Sequence, residues 1–176
     1  MKGDRPLPAG GKLRFLVVTA FDTRYEVGYL CSTVNEAYCR RHGYSFWPVL
    51  LTPEGMVQLA GGRHCAWGKV ALLHHLLDSG DNNNSEAVTS RNDRTAAEKA
   101  AADGIDAGAF DYVVWIDADA LVLAHDTQLE HFVASAQGAD LIIGEDMADT
   151  DLVNTGLVMC KVGSAWAQKM MQRWWE

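Results

Sequence analysis

Long hydrophobic runs are missing from this chain: no stretch approaches the ~18 consecutive apolar residues that a membrane-spanning helix needs. Residues 1–12 carry Pro and Gly without an apolar core, so they do not read as a secretory signal, and any targeting segment is expected to lie outside this chain. Basic residues are scarce: 15 Lys and Arg stand against 23 Asp and Glu, a net charge of −8, with no basic run. That excludes the electrostatic footprint of a nucleic-acid binder. An acidic chain that binds an anionic nucleotide needs a local device, and a divalent metal is the usual one. The four cysteines (Cys31, Cys39, Cys65, Cys160) form no CxxC pair and show no Cys/His ligand spacing. They are too few for a disulfide scaffold and read as buried small hydrophobes, which leaves the redox compartment open. What is present is ordinary: 176 residues, 48% hydrophobic and 22% charged, the size and composition of one globular domain spanning 1–176.

Apolar periodicity switches back and forth along the chain, the pattern of alternating strands and helices. Residues 13–19 (LRFLVVT) form a near-continuous apolar run, as expected for a strand covered on both faces. Val27, Leu30, Cys31, Val34 and Tyr38 then recur at helical spacing, with Gly43 as C-cap. Residues 45–51 (SFWPVLL) read as a strand that Pro48 confines to an edge or to a short length. Residues 53–65 are Gly-rich and read as a loop. A helix is expected over 67–77, with Val70, Leu73 and Leu77 on one stripe. Residues 79–108 contain no aromatic and almost no large aliphatic side chain. This segment reads as a disordered surface insertion carrying one short helix around 96–102. Residues 112–116 (YVVWI) form the most hydrophobic strand. Asp126 is the expected N-cap of a helix with Leu129, Phe132, Val133 and Ala136 inward. Short strands at 141–143 and 157–160 follow, and Ser164 caps a last helix with Ala167, Met170, Met171 and Trp174 inward. The sum predicts an α/β fold with a mostly parallel central sheet.

Ligands of open α/β sheets bind beyond the carboxyl ends of the strands. Asp117 and Asp119 stand at such an end, after the strand expected to be central. Strand side chains alternate, so residues two apart point the same way, and small Ala118 lets a ligand come close. Two carboxylates converging on one point repel unless a cation lies between them. Mg2+ or Mn2+ takes oxygen ligands, commonly one or two carboxylates plus substrate phosphates. Such an ion would stabilise charge on a diphosphate leaving group. The plainer alternative is that both residues merely end a strand, since Asp is common in turns.

Four segments in order widen the pattern beyond this triplet. They are Asn35-Glu36-Ala37-Tyr38-Cys39 with His42-Gly43-Tyr44; Trp67-Gly68-Lys69; Trp115-Ile116-Asp117-Ala118-Asp119-Ala120-Leu121; and Asn154-Thr155-Gly156 leading to Trp166 and Trp174-Trp175. Together they resemble the GT-A-fold glycosyltransferases, above all the galactosyl-/xylosyltransferase family of plant xyloglucan and galactomannan enzymes and fungal mannan α-1,6-mannosyltransferase subunits. The resemblance implies a Rossmann-like α/β/α sandwich and a retaining, metal-dependent transfer from a UDP- or GDP-sugar donor to a glycan or other hydroxyl acceptor. It places Thr19 and Ala20 against the nucleotide base and Lys69 near the donor. Asp117 and Asp119 would hold ribose and metal (Mn2+, or Mg2+) beside Ala118, and Asn154, Thr155 and Gly156 would line the pocket near the sugars. It names no acceptor-side catalytic residue in this chain. Family members run on past the position of Glu176, through a further acidic segment and a late metal-binding histidine, so the resemblance implies a domain incomplete at its C-terminal end. It also implies a Golgi lumenal setting with the anchor outside this chain, and leaves a homo- or hetero-oligomer open.

Other signals carry less. Residues 62–69 lack the glycine spacing of a phosphate-binding loop, with Val70 where Ser or Thr must stand. His74, His75, His125 and His131 lack metal spacing. Glu145, Asp146, Asp149 and Asp151 read as a solvated acidic turn, and Asn83-Asn84-Ser85 fits a glycosylation acceptor. Trp67, Trp166, Trp174 and Trp175 read as core. A haloacid-dehalogenase-type phosphatase also follows an apolar strand with DxD, but on its first strand and with Thr or Val soon after; here a later strand is followed by Ala120-Leu121. A glycosyltransferase-like subunit without turnover remains the non-enzyme alternative.

Overall fold

The apolar run after Leu13 becomes β1 (Phe15–Asp22), whose first seven residues are all buried between two helical layers. The structure, a computed structural model, describes residues 11–78, 91–148 and 151–176. After β1 come α1 (Glu26–His42), β2 (Ser45–Leu51), α2 (Pro53–Leu59), α3 (Gly68–Asp78), α4 (Arg91–Ala102), β3 (Tyr112–Ile116), α5 (Leu129–Ser135), β4 (Leu141–Glu145), β5 (Val153–Lys161) and α6 (Ala165–Trp175). The strand order is β2-β1-β3-β5-β4. β1 is parallel to β2 and β3, whereas β5 runs antiparallel to both its neighbours, β3 and β4. The result is the expected mostly parallel sheet with one reversed strand. β3 is central, and β2, which carries Pro48, lies at an edge, where proline is tolerated.

Alternation along the strands builds two cores. Leu16, Val18, Val113, Trp115, Val158 and Cys160 face α2, α3, α4 and α6. Phe15, Val17, Tyr112, Val114, Ile116 and Met159 face α1 and α5. The three-layer α/β/α arrangement follows from that division.

Local chemistry moves several elements from their expected places. The buried stripe of α1 is Gly28, Cys31, Asn35, Tyr38 and Cys39, so Val27 and Leu30 face outward. Gly28 belongs on the inner face because its bare Cα lies against Phe21. The expected loop at 53–65 begins with a helix: Thr52 accepts a hydrogen bond from Gly55 N at 3.0 Å and Pro53 pre-sets the first turn. In the expected insertion, 79–90 lie outside the described residues, as does Asn83-Asn84-Ser85. From Arg91 the chain is a helix with Ala96 and Ala100 in the core, and Asp103 accepts from the Trp47 indole at 2.7 Å. Alanines give that helix a close packing face without any large aliphatic residue. α5 starts at Leu129 and not beside Asp126, which pairs with Arg41 instead. The orphan N–H of Leu129 goes to the Tyr44 hydroxyl at 3.0 Å. Trp166 and Met170, both expected in the core, are exposed, while Ala167 and Met171 are buried as expected. Trp174 and Trp175 pack against the core as expected, and the Arg63 guanidinium lies over both Trp67 and Trp175, 4.7 and 4.5 Å from the ring centres, where the two rings meet edge to face. Among the described residues no helix is long and apolar enough to cross a membrane.

A Cβ added at Gly28 would lie 2.6 Å from the Phe21 ring. Gly28→Ala gains up to about 1 kcal/mol of helix propensity but forces that ring to move, at about 1–3 kcal/mol. A lowered thermal midpoint is the expected outcome; an unchanged or raised one would mean that Phe21 yields freely.

Candidate functional site

The carboxyl ends of β1 and β3 open into a pocket of about 290 Å³. Ala20, Phe21 and Asp22 from β1, Trp115 from β3, and the residues Asp117, Ala118 and Asp119 line one side. Tyr25, Met56, His64, Cys65, Ala66 and Lys69 close the other. The two aspartates converge here, though not by strand alternation. β3 ends at Ile116, and Ala120 N bonds to Asp117 O at 3.0 Å, so residues 117–120 form a turn. The turn carries both carboxylates to one pocket wall, with Ala118 between them.

Lys69 organises the floor. It sits in the first turn of α3 and is 7% exposed. Its three N–H donors reach Asp117 Oδ1 at 2.7 Å, Thr155 O at 3.0 Å and Thr155 Oγ1 at 3.1 Å. Trp115 Nε1 donates to the same Asp117 oxygen at 2.6 Å. Thr155 is within reach because β5 is irregular. The β4–β5 ladder passes from Ile143↔Val158 to Gly144↔Asn154, which leaves residues 155–157 without partners on β4. Such a bulge re-aims backbone groups, and bulges are frequent beside active sites. On its other edge β5 continues against the aspartate, with Asp117 N bonding to Gly156 O at 2.8 Å.

Asp119 is held from the opposite helical layer. Tyr25, just before α1, donates its hydroxyl to Asp119 Oδ2 at 3.1 Å. Desolvation, and then this bond, raises the Tyr25 hydroxyl pKa above its ordinary value. Asn35, buried in α1, clamps the next stretch of chain: Nδ2 donates to Ala120 O at 2.9 Å and Oδ1 accepts from Val122 N at 3.0 Å. Tyr38 donates to Thr127 O at 2.8 Å, and the His42 ring meets His125 O at 2.7 Å.

The residues expected at the site fall into three groups. Ala20, Lys69, Asp117, Ala118 and Asp119 share the pocket. Thr155 touches it through Lys69, whereas Asn154 and Gly156 line a second, more apolar cleft of about 420 Å³ beyond the 117–121 segment. Thr19 does not share Ala20's face. It lies on the face of Phe15 and Val17, 1% exposed, with its hydroxyl unpartnered. Strand alternation is the reason, since neighbours in a strand point to opposite faces. Tyr25 and His64 line the pocket and Asn35 braces the chain beside it; the motif reading gave none of the three a role, although Asn35 opens its first segment. Asn35 carried a signal, a polar residue on the apolar stripe between Cys31 and Tyr38; Tyr25 and His64 carried none.

A metal ion has two candidate ligands here, not a full set. Among the described residues no group of three or more His, Cys, Asp or Glu comes together. Lys69 cancels the charge of Asp117, and Asp119 and Asp22 keep the pocket wall negative. This donor set fits a hard divalent ion that brings phosphate oxygens and water with it. It does not fit an ion held by the protein alone.

Compared with known proteins, the chain matches no family profile and no curated protein. Among solved structures it is similar to a crystal structure of a glycosyltransferase involved in the glycosylation of the major capsid of PBCV-1, with a TM-score of 0.54 and 16% identity. The likeness covers 93% of this chain and 65% of that one, so the chain spans less than two thirds of that structure's length. At this identity the likeness establishes the shared α/β fold.

Two outcomes test the geometry. Asp117→Asn leaves the buried Lys69 without a counter-charge and should cost about 1–3 kcal/mol in denaturant unfolding. Asp119→Asn, at an exposed position, should stay within about 0.5 kcal/mol of the native chain; equal losses would dissolve the distinction between the two acids. Thiol titration at pH 8 should release one fast equivalent, from exposed Cys65. Burial holds Cys31 above its usual range and pushes Cys39 and Cys160 up to about 12, so these should react only after denaturation.

Proposed function

We propose that this chain binds a nucleoside diphosphate sugar, UDP- or GDP-linked, in the pocket at the carboxyl ends of β1 and β3, and transfers the sugar to a hydroxyl of a glycan acceptor. The observation that carries the reading is the convergence of Asp117 and Asp119 on one pocket wall at the sheet's carboxyl edge. Ligands of open α/β sheets bind at that edge. The likeness to a glycosyltransferase fold supports the reaction class, and the four sequence segments support the narrower galactosyl-/xylosyltransferase kinship, retention of configuration and a Golgi setting.

In this reading Asp119, with Asp117 behind it, holds a Mn2+ or Mg2+ ion, which when bound offsets charge on the departing diphosphate. The bond from the anomeric carbon to the phosphate oxygen breaks, a new bond to the acceptor oxygen forms, and the acceptor hydroxyl gives up its proton. Lys69 holds Asp117 in place, because its three donors are already used. Tyr25 orients Asp119, and apolar Phe21, Met56 and Trp115 wall the pocket for a nucleotide's flat base.

Calorimetric titration of UDP and GDP, with and without Mn2+, tests this. Mn2+ alone should bind weakly, and Mn2+ with one nucleotide should bind tightly. Asp119→Ala should weaken the ternary complex at least about tenfold, or 1.4 kcal/mol. Binding that ignores both metal and Asp119, or no binding at all, would sink the proposal. Binding without hydrolysis or transfer of a donor sugar would leave a nucleotide-binding subunit.

A further inference from the structure

We infer that His64 is a phosphate-binding residue of this pocket, donating from Nε2–H to a diphosphate oxygen of the bound nucleotide; the inference rests on the donor-site reading above. The argument begins with the tautomer. His64 caps the short 3-10 turn Cys65–Trp67, its Nδ1 lying 3.3 Å from the backbone nitrogen of Ala66. A backbone N–H can only donate, so Nδ1 must be the acceptor. Cys65 Sγ approaches the same nitrogen at 3.8 Å, a second donor aimed at one lone pair. A neutral imidazole that accepts at Nδ1 carries its proton at Nε2. The cap thus makes His64 an N–H donor of fixed tautomer, exposed and among the residues that line the pocket.

The accounting of the other donors gives this proton its significance. Lys69 spends three hydrogens on Asp117 and Thr155, Trp115 spends its indole N–H on Asp117, and Tyr25 spends its hydroxyl on Asp119. Among the described side chains lining the pocket, Nε2–H of His64 is the one nitrogen-bound hydrogen not committed within the protein. A diphosphate offers several acceptor oxygens, more than a metal ion on two carboxylates can occupy. Neutral His64 supplies a donor to them without adding charge. The acceptor assigned to it is a phosphate oxygen, the most highly charged acceptor of such a ligand, and nucleosides, which lack that group, separate it from the base and the ribose.

Two substitutions separate the cap from the ligand contact. In His64→Asn the side-chain oxygen can stand where Nδ1 stands, which keeps the cap and removes the outer donor. In His64→Gln an amide N–H can reach the Nε2 position while the cap is lost. The experiment titrates the full chain and both variants, in Mn2+, with UDP and GDP and with the parent nucleosides uridine and guanosine, and records thermal midpoints. His64→Asn is expected to melt like the native chain and bind the preferred nucleotide roughly tenfold more weakly. Its nucleoside affinity should be unchanged, and His64→Gln should keep most of the nucleotide affinity. Native-like nucleotide binding by His64→Asn, or an equal loss for nucleoside and nucleotide, would overturn the assignment while leaving the donor site intact. If the native chain binds neither nucleotide, the donor reading fails and takes the inference with it. Should His64→Asn melt lower, His64→Gln decides: retained affinity supports the phosphate contact, and an equal loss overturns it.

Discussion

A buried ammonium organises this end of the molecule. Taking a lysine charge out of water costs several kcal/mol unless a partner charge and acceptors replace the solvent. Lys69 is 7% exposed and has both, in the Asp117 carboxylate and two oxygens of Thr155. Three elements distant in sequence must meet to provide them: the start of α3, the end of β3, and the irregular stretch of β5. If β5 paired regularly with β4, the Thr155 groups would be drawn into the ladder and Lys69 would lose two of its three acceptors. The bulge is the local cost of satisfying the charge. The reversed direction of β5 belongs to the same solution, since it brings Gly156 beside Asp117, where the central strand leaves the sheet.

The second aspartate depends on the other helical layer. α1 acts as a template for the chain that follows the turn. Asn35 holds both Ala120 and Val122, Tyr38 holds Thr127, His42 meets His125, and Tyr44 satisfies the first N–H of α5. These side chains replace ladder partners for a segment that belongs to neither helix nor strand, so its backbone groups need them. The pocket thus forms where α3, reaching through Lys69, and α1, reaching through Tyr25 and Asn35, grip the same turn from opposite faces of the sheet.

Much of this was legible in the sequence. The apolar runs of β1 and β3 and the motif after β3 were plain because strands buried on both faces have no polar alternation to confuse the reading. Pro48 correctly marked an edge. Features set by tertiary contact were not legible. The inner face of α1 carries Gly28 and Asn35, so a search for large apolar residues rotates the helix toward Val27 and Leu30. α4 packs through alanines, which composition counts as too small to bury. Asp126 has the chemistry of a cap, but the Tyr44 hydroxyl is the group that reaches the helix start. Thr19 and Ala20 are neighbours in sequence and opposites in space. His64 is invisible to motif reading because its value lies in which nitrogen accepts from Ala66, a fact of geometry alone.

The charge balance of the pocket constrains what it can hold. Asp117 and Lys69 neutralise each other, which leaves Asp119 and Asp22 as the further carboxylates on the wall. A bare diphosphate would meet a negative carboxylate and a chain of net charge −8, and would be repelled. A bare divalent ion would find no group of three acidic, His or Cys ligands among the described residues, too little to replace its hydration shell. Each of the two supplies what the other lacks. The ion reverses the sign that the diphosphate meets, and the phosphate oxygens complete the shell around the ion. Both are therefore expected to enter together.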